Sequence, residues 1–402
     1  MRFTAFRVRV GFVIIAVWLA ARGQNSSQAL RPGAPSSGFT LREIPSLGGI
    51  ISSAGGISNG GVVSGFAATA GDAKFRAFNW QAGTLDVLPT FGGPVSFTWT
   101  ISANGRTSGF SETKSRDPNG EDFNGLGDHL IELPALWIDE RLYRLPLVAG
   151  GNNGNSEGIN SVGQVAGLSE IAEHDPTCTK PQVLGIKPVI WKNRKIQTVL
   201  PTWAGDSMGI VTSMNDNGDA AGATGFCGTG AAMVPFNMRH AVLWKKGKII
   251  DLGNLGGSAG QEPLGINNRD EIVGQSSLPG IKTYHAFLWD GQMHDIGALS
   301  GDCCSIAEYI SETGVIAGVS CKEPSGRLVV HHNVESSFSK NCRGVFWKNG
   351  TIIDLNSLLH PGSSMFVTAV EAGPNSLGQI VGDGMVKATG AQRGFIAVPT
   401  GP

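Results

Sequence analysis

Four glutamates stand at comparable places along this chain, and carboxyl groups are suited to general acid–base chemistry. They are Glu157, Glu262, Glu308 and Glu371, each at or just before the start of a strand that is predicted to line the centre of the fold. Two carboxyl groups that face each other across a cleft can cleave a glycosidic bond, one of them donating the proton. The alternative, which we prefer, is that the starts of strands are solvated and therefore polar.

Aromatic and basic residues are candidates for ligand binding. Trp203 falls in a connection between repeats, outside the regular tryptophan series, and is a better candidate than Trp99 for stacking on a sugar ring. A basic position recurs at the start of the predicted third strands, with occupants Arg76, Lys187, His240, His285, Arg343 and Arg393. His240, His285 and Arg343 are the ligand-binding candidates, since cationic side chains bind anions through charge-assisted hydrogen bonds. Hydrogen bonds to backbone carbonyls or to acidic residues are the structural alternative.

One loop has oxygen ligands at a spacing compatible with Ca²⁺. The segment Asp117-Pro-Asn-Gly-Glu121-Asp122 brings several of them together but lacks the full pattern of a calcium loop, so a solvated acidic loop is the interpretation that we prefer. His331 and His332 are adjacent and point to opposite sides of an extended chain, which suits shared metal binding poorly. Ca²⁺ is therefore the one cofactor that the sequence raises, and no other metal site is predicted.

The six cysteines form an even set, which in an exported chain favours disulfides over thiols. The predicted pairs are Cys178 with Cys227, Cys321 with Cys342, and Cys303 with Cys304. The first pair lies in equivalent loops of adjacent repeats, the second flanks one insertion, and the third would be an uncommon vicinal bridge. Metal binding by these cysteines is disfavoured, because no Cys-x-x-Cys spacing occurs.

Composition and charge exclude several classes of function. The 31 Lys and Arg residues balance 32 Asp and Glu residues, which leaves a net charge of -1 and no electrostatic basis for binding nucleic acid. No Ser/His/Asp constellation, phosphate loop or zinc signature stands out. Glycine, with 58 of 402 residues, is about twice as frequent as usual, which indicates many tight turns between short strands.

One motif recurs along the chain and is typical of a β-hairpin. Its clearest copies are the segments 158–167 (Gly-Ile-Asn-Ser-Val-Gly-Gln-Val-Ala-Gly) and 265–274 (Gly-Ile-Asn-Asn-Arg-Asp-Glu-Ile-Val-Gly). Aligned on the last residue, the copies end at Gly65, Gly109, Gly167, Gly222, Gly274, Gly318 and Gly382. An apolar strand ends in Asn or Ser, a glycine reverses the chain, and a strand with compact side chains follows.

Each hairpin is followed by an aromatic third strand, such as His285-Ala-Phe-Leu-Trp289, and by a fourth strand, such as Ile249-Ile-Asp-Leu252. The third-strand tryptophans are interpreted as core between repeats. Four short strands in a repeat of this length match one blade of a β-propeller.

The two ends of the repeat region complement each other. The last repeat stops after its third strand, Arg393–Val398, whereas the segment 39–49 is a fourth strand without a repeat of its own. We therefore predict an all-β fold, a seven-bladed β-propeller of four-stranded blades over residues 39–402. The N-terminal strand would complete the last blade and close the ring.

The repeat resembles the bacterial "extracellular repeat, HAF family". The resemblance is carried by His285-Ala-Phe287 and by Asp251-Leu-Gly-Asn-Leu-Gly-Gly257, and the pattern covers the chain after its leader. It implies a secreted bacterial repeat protein, and the family has no agreed catalytic residues to transfer. The histidine itself is present in two repeats, as His240 and His285.

The first residues are typical of a signal peptide. Arg2, Arg7 and Arg9 precede the apolar stretch 10–20, and Ala21-Arg-Gly23 places small residues at the cleavage positions. We predict a signal peptide over residues 1–23 and a flexible leader over 24–38. The apolar stretch falls well short of the ~20 residues that span a bilayer, so no membrane span is expected after cleavage.

Long connections on one face of the predicted propeller point to a binding function, because loops on a rigid scaffold often carry the site. They cover residues 110–132, 168–187, 223–239 and 319–343. The first hypothesis is a non-enzymatic exported module, monomeric, that binds a polysaccharide or a protein through this long-loop face. The second is a secreted carbohydrate-active hydrolase or lyase that uses the carboxylates at the channel mouth. The third is a structural surface module.

Overall fold

The computed structural model describes residues 38–72, 74–228, 238–323 and 341–400. These residues form 28 β-strands and two short 3₁₀ helices, Ala70–Asp72 and Leu355–Leu358. The predicted all-β fold is confirmed. The predicted signal peptide, the leader up to residue 37 and the pair His331–His332 lie outside the described residues. Among the described residues, no helix is long and apolar enough to span a membrane.

The strands follow one another in groups of four, which we number as units. Unit one comprises β2 (Gly48–Ile57), β3 (Val63–Thr69), β4 (Phe75–Gln81) and β5 (Thr84–Val87). Unit two comprises β6 (Ser96–Ile101), β7 (Thr107–Arg116), β8 (Leu130–Ile138) and β9 (Arg141–Arg144). Unit three comprises β10 (Gly154–Ile159), β11 (Gln164–His174), β12 (Leu184–Lys192) and β13 (Lys195–Val199). Unit four comprises β14 (Met208–Met214), β15 (Ala220–Gly225), β16 (Met238–Lys245) and β17 (Lys248–Asp251).

The remaining strands complete this order. Unit five comprises β18 (Glu262–Ile266), β19 (Ile272–Ser277), β20 (Tyr284–Trp289) and β21 (Met293–Asp295). Unit six comprises β22 (Cys304–Ile310), β23 (Ile316–Cys321), β24 (Cys342–Lys348) and β25 (Thr351–Asp354). Unit seven comprises β26 (Met365–Ala372), β27 (Ile380–Val386), β28 (Gln392–Pro399) and the N-terminal strand β1 (Phe39–Glu43).

Units two to six are separate four-stranded antiparallel sheets, whereas units one and seven share one eight-stranded sheet. The join is a single parallel bridge between Ile51 and Gln392. No sheet closes on itself within the described ranges. The first strand of each unit contacts the first strands of the units before and after it, and β26 contacts β2 in the same way.

The N-terminal strand pairs with the last strand, as the complementary chain ends predict. β1 runs antiparallel to β28, in register from Phe39 opposite Pro399 to Glu43 opposite Phe395. Phe39 and the following Ile44 are buried. Strand β28 is therefore covered on its outer side.

The glycine that ends each copy of the motif is required by a close approach of the backbone. A Cβ atom added to Gly167 would lie 2.1 Å from the carbonyl oxygen of Asn155 on β10, and one added to Gly65 would lie 1.9 Å from that of Ser53 on β2. The carbonyl approaches because a β-bulge follows it in the first strand, as the register shift after Ser156 shows. Any side chain at these glycines would collide with the neighbouring strand.

The Asn or Ser of the motif links one unit to the next. The Asn160 side-chain amide donates to the Asn215 carbonyl at 2.9 Å, and Asn215 donates in turn to the Asn267 carbonyl at 3.1 Å. Asn375 of unit seven donates to the Ser58 carbonyl of unit one at 2.9 Å. The residue type that suits a turn also hydrogen-bonds across the boundary between units.

The third-strand tryptophans form core between units, as predicted. Trp137 and Trp191 are fully buried, and their indole N–H groups donate to the carbonyls of Pro89 and Pro146 in the connections that lead into their units. A buried indole N–H needs such a partner. Burial and hydrogen bonding together anchor each unit to the preceding connection.

Two of the three predicted disulfides are present, Cys178–Cys227 and Cys321–Cys342. The third prediction is wrong, because Cys303 and Cys304 are both free thiols. Cys304 is the first residue of β22, and successive side chains of an extended strand point to opposite sides. A vicinal bridge would require leaving that extended conformation. Burial raises the pKa of Cys304 to about 12.

Candidate functional site

The first strand of every unit carries a β-bulge, and three of the predicted carboxylates occupy the bulged position. The bulged residues are Gly55, Trp99, Glu157, Thr212, Leu264, Glu308 and Glu371. Three glutamates therefore lie inside their strands, whereas the sequence placed them at or before the start. A bulge shifts the alternation of inward and outward side chains, so the residues before it are out of phase with the apolar pattern after it.

Glu157 is the most constrained of the four predicted glutamates. Its side chain is buried, and its Oε1 accepts a hydrogen bond from Asn155 Nδ2 at 2.7 Å. The Asn155 Oδ1 atom accepts in turn from Trp99 Nε1 at 3.0 Å. Burial, and secondarily the negative charge of Glu262, raise the pKa of Glu157 well above its ordinary value. Glu157 therefore keeps its proton to higher pH than an ordinary glutamate does.

Glu262 approaches Glu157 from unit five. It is the first residue of β18, it is buried, and its Oε2 accepts from Gln275 Nε2 at 2.7 Å. The fold thus brings two of the four predicted carboxyl groups within electrostatic reach of each other. Glu308 and Glu371 are half-buried at the bulges of units six and seven.

Asn155 was missed by the sequence analysis, although its position carries a signal. Asn155 and Glu262 stand opposite the residues that directly follow Gly167 and Gly274 in their own units. They therefore occupy the same place in the repeat. An alignment extended upstream of the motif would have placed both polar side chains at one level of the fold.

An aromatic cluster surrounds Trp99. The indole stacks on Phe97 with ring centroids 5.5 Å apart, and Phe110 lies 6.0 Å from the same indole. Phe66 and Phe75 of unit one contact Phe97 at 4.3 and 5.7 Å. Trp99 is half-buried at the edge of this cluster. One side of the indole is packed while the N–H is used by Asn155, which is the arrangement of a fixed aromatic platform.

Trp203, the preferred stacking candidate from sequence, is held by other groups. It packs against the core cluster of units three and four that contains Ile190 and Trp244. Its ring centroid lies 5.7 Å from that of His240. Trp203 is half-buried in the connection leading into unit four, and it does not adjoin the carboxyl groups of Glu157 and Glu262 in any contact that the structure shows.

The basic residues that begin the third strands all have partners within the protein. Arg76 and Lys187 donate to backbone carbonyls, of Gly93 at 3.1 Å and of Ser207 at 2.8 Å. His285 lies 2.8 Å from an oxygen of Asp295. These contacts fit the structural interpretation of the series, and they engage polar atoms that an anion would need.

His240 and Arg343 make the same arrangement in units four and six. His240 Nδ1 lies 2.7 Å from Asp206 Oδ2, and Arg343 Nη2 donates to Asp302 Oδ1 at 2.7 Å. On the second strand of unit four, the Thr224 hydroxyl opposite His240 donates to Asp206 at 2.6 Å. On the second strand of unit six, the Ser320 hydroxyl opposite Arg343 donates to Asp302 at 2.7 Å. Each group ties its third strand to the preceding connection.

The long loops of units two, three and four are linked to one another. The Cys178–Cys227 disulfide joins the loops of units three and four, and a backbone bridge pairs Cys178 with Gly228 beside it. Glu121 in the loop of unit two accepts hydrogen bonds from the backbone N–H groups of Val183 and Leu184, at 2.8 and 2.7 Å. We call these connected loops, residues 117–129, 175–183 and 226–228, the loop platform.

Buried carboxylates concentrate within and next to the loop platform. Asp117, Glu121 and Glu170 are buried, and one oxygen from each lies within 4.8 Å of the others. Burial and the charge of Glu121 raise the pKa of Glu170 to about 7. Asp122, which the sequence grouped with Asp117 and Glu121, is directed elsewhere, since its carboxylate accepts from the Gly127 N–H at 2.9 Å.

Glu112 occupies in unit two the place that Glu170 occupies in unit three, three residues after the motif's last glycine. Its Oε2 accepts from the Val95 N–H at 2.7 Å. Burial, followed by the charge of Asp128, raises the pKa of Glu112 to about 8. The equivalence with Glu170 is a signal that the sequence analysis did not use.

No family model matches the chain, and no curated protein matches it in sequence. Among solved structures, it is similar to the β-propeller domain of the trilobed protease from Pyrococcus furiosus, at 8% identity and a TM-score of 0.45, over 90% of this chain and 93% of that chain. Similarity to the acylaminoacyl peptidase of Pyrococcus horikoshii has 10% identity and a TM-score of 0.42, over 81% of this chain and 46% of that chain. A gluconolactonase from Xanthomonas campestris matches with 11% identity and a TM-score of 0.37, over 92% and 99% of the two chains. These similarities lie below the level at which an activity transfers between proteins.

Proposed function

We propose that this chain is an exported, monomeric seven-bladed β-propeller of the HAF repeat type that binds a polysaccharide through its long-loop face. Seven successive groups of four strands support the blade count, and contacts between the first strands of all neighbouring groups support a closed ring. Two disulfides are typical of an oxidising compartment, which supports export.

The observation that carries the binding function is the loop platform. Three loops from successive units are held together by a disulfide, a backbone bridge and the buried carboxylate of Glu121. Loops that already have one conformation lose little entropy when a ligand binds, so this organisation favours affinity. A connection that merely filled space would have no need of such links.

The ligand class follows from the side chains at the inner edge of the platform. Asn153 donates to Asp117 of the platform at 2.8 Å, and two residues further along lies Asn155, which connects Trp99 to Glu157. A fixed indole beside amide and carboxyl groups suits a neutral polyhydroxyl ligand, which has apolar ring faces and many hydrogen-bonding groups. Polysaccharide is therefore the ligand that we propose.

Trp99 and Trp203 provide a matched test. Both are half-buried tryptophans outside the third-strand series, and Trp99 alone contacts Asn155. We expect Trp99→Ala to abolish binding on a glycan array and Trp203→Ala to retain it, with melting temperatures recorded for both variants. Equal binding by wild type and Trp99→Ala would contradict the proposed site.

A second candidate function, a hydrolase or lyase, is favoured by the pair Glu157 and Glu262. Glycosidases use two carboxyl groups, one of them with a raised pKa, and burial together with the charge of Glu262 raises the pKa of Glu157. Testing the Glu157→Gln variant beside the wild-type protein on the same glycan array separates the two functions. A binding module retains its ligand and releases no product in either form, whereas an enzyme releases product as wild type and loses that release as Glu157→Gln.

A further inference from the structure

Three buried carboxylates from two units meet where the loop platform contacts β11. Asp117 and Glu121 come from the loop between β7 and β8, and Glu170 comes from β11 of the next unit. Their exposed fractions are 6%, 0% and 0%. One oxygen from each lies within 4.8 Å of the others, which is about twice the Ca²⁺–oxygen distance of ~2.4 Å. We infer that Asp117, Glu121, Glu170 and Gln182 form a Ca²⁺-binding site at the boundary between units two and three.

The charges of the cluster call for a cation. Across the described ranges, none of the three carboxylates forms an ion pair with Lys, Arg or His. Their partners are neutral donors: the side-chain amides of Asn119, Asn153 and Gln182 and backbone N–H groups. Buried carboxylates without a counter-charge are unfavourable, and proteins relieve this by protonating them, by pairing them or by binding a metal ion.

Gln182 supplies an independent indication of a ligand. The residue is 2% exposed, and its Nε2 is surrounded by three oxygens: Glu121 Oε1 at 3.1 Å, Glu170 Oε1 at 2.9 Å and the Leu184 carbonyl at 3.0 Å. An amide nitrogen has two hydrogens and can donate to two acceptors, so three surrounding oxygens are one more than it can satisfy. The Oε1 atom of the same amide is buried and has no hydrogen-bond partner among the residues that the structure describes.

A bound cation would account for the excess of oxygen atoms around Gln182 Nε2. Turning the terminal amide by half a rotation exchanges Nε2 and Oε1, which places the unpartnered oxygen among the three that surround Nε2. Asn153 is not free to turn in this way, because its Oδ1 accepts from the Glu132 N–H at 2.9 Å. Gln182 therefore provides the fourth oxygen ligand, while Asn153 keeps its N–H group on Asp117 and Glu170.

The donor set selects Ca²⁺ among common metal ions. All ligands are oxygens, from carboxylates and an amide, which suits a hard cation and excludes a preference for zinc or copper. A larger ion with flexible coordination fits ligands supplied by separate chain segments better than Mg²⁺, which needs near-ideal octahedral geometry. The third carboxylate belongs to the next unit, so the site differs from the contiguous loop that the sequence suggests.

Calcium titration of the purified full chain after EDTA treatment tests the site, with Mg²⁺ as the competing ion. We expect saturable Ca²⁺ binding by isothermal calorimetry and a higher melting temperature in Ca²⁺ than in EDTA, since a ligand that binds the native state stabilises it. Glu170→Gln should weaken Ca²⁺ binding by about tenfold or more, because ligand charge sets the affinity. Gln182→Leu should weaken it less.

Glu173→Gln is the matched control, because Glu173 is an exposed carboxylate on the same strand β11. It should bind Ca²⁺ as wild type does. Circular dichroism in EDTA establishes that each variant is folded, and Asp117→Asn replaces Glu170→Gln if the latter is not. Absence of Ca²⁺ binding by the wild-type chain, or equal affinity in a folded Glu170→Gln variant, would overturn the inference. The polysaccharide assays do not enter this test, so either proposal can fail alone.

Discussion

Single buried glutamates make the stability of this protein depend on pH. Glu112 is the clearest case, with a pKa raised from 4.5 to about 8 mainly by burial. The charge of Asp128 raises the pKa of Glu112 further, and the charge of Arg76 partly offsets this effect. Glu112 in turn raises the pKa of the neighbouring Glu132. The folded protein therefore keeps a proton on Glu112 over a range in which the unfolded chain has lost it.

The sign of the effect follows from this difference in bound protons. Between about pH 4.5 and 8 the folded state binds more protons at Glu112, so the free energy of unfolding falls as pH rises, by up to about 1.4 kcal/mol per pH unit. Glu112→Gln should flatten this dependence in urea unfolding measured in EDTA, whereas the exposed-site variant Glu173→Gln should leave it unchanged. A Glu112→Gln profile parallel to that of wild type would show that Glu112 ionises normally.

At the scale of the elements, the β-bulge and the facing glycine act as one device. The bulge in the first strand places a carbonyl where a side chain of the second strand would lie, so glycine is required at the end of the motif. The device recurs in every unit and sets which residues become bulged, Trp99 and Glu157 among them. The repeat glycine therefore positions the candidate site through the backbone of the neighbouring strand.

Gly167→Ala tests this device, and Gly185→Ala is its control. A Cβ at Gly167 would lie 2.1 Å from the Asn155 carbonyl oxygen, whereas a Cβ at Gly185 would make contacts of 3.4 Å, which are ordinary. Overpacking against backbone should lower the free energy of unfolding by about 3 kcal/mol for Gly167→Ala. Gly185→Ala should stay within about 0.5 kcal/mol of wild type. Similar urea midpoints for both variants would mean that the bulge can relax.

Across the whole molecule, the features predictable from sequence are those that repeat. The hairpins, the four-strand groups, the N-terminal strand and the disulfides Cys178–Cys227 and Cys321–Cys342 follow from patterns aligned between copies. What could not be predicted depends on contacts between units, where each connection differs. Glu170 on β11 meets Asp117 and Glu121 only because the loop of unit two reaches the next unit, and Trp99 meets Asn155 across the same boundary between units.

The pairing of β1 with β28 gives a prediction for the molecule as a whole. Without β1, the backbone of β28 would become an open edge able to pair with another chain. Phe39 and Ile44 are fully buried, and their loss removes about 3–6 kcal/mol of apolar burial. Glu43 also forms an ion pair with Arg393 at 3.2 Å.

Two truncated chains separate this role from an effect of shortening. A chain beginning at Gly38 retains β1 and should melt near the temperature of the longer chain and keep the same oligomeric state. A chain beginning at Pro45 lacks β1 and Ile44; it should melt at a lower temperature and form oligomers through the exposed edge of β28. Calorimetry and light scattering after gel filtration measure both properties. A monomeric Pro45 chain of unchanged melting temperature would show that units one and seven hold together without the N-terminal strand.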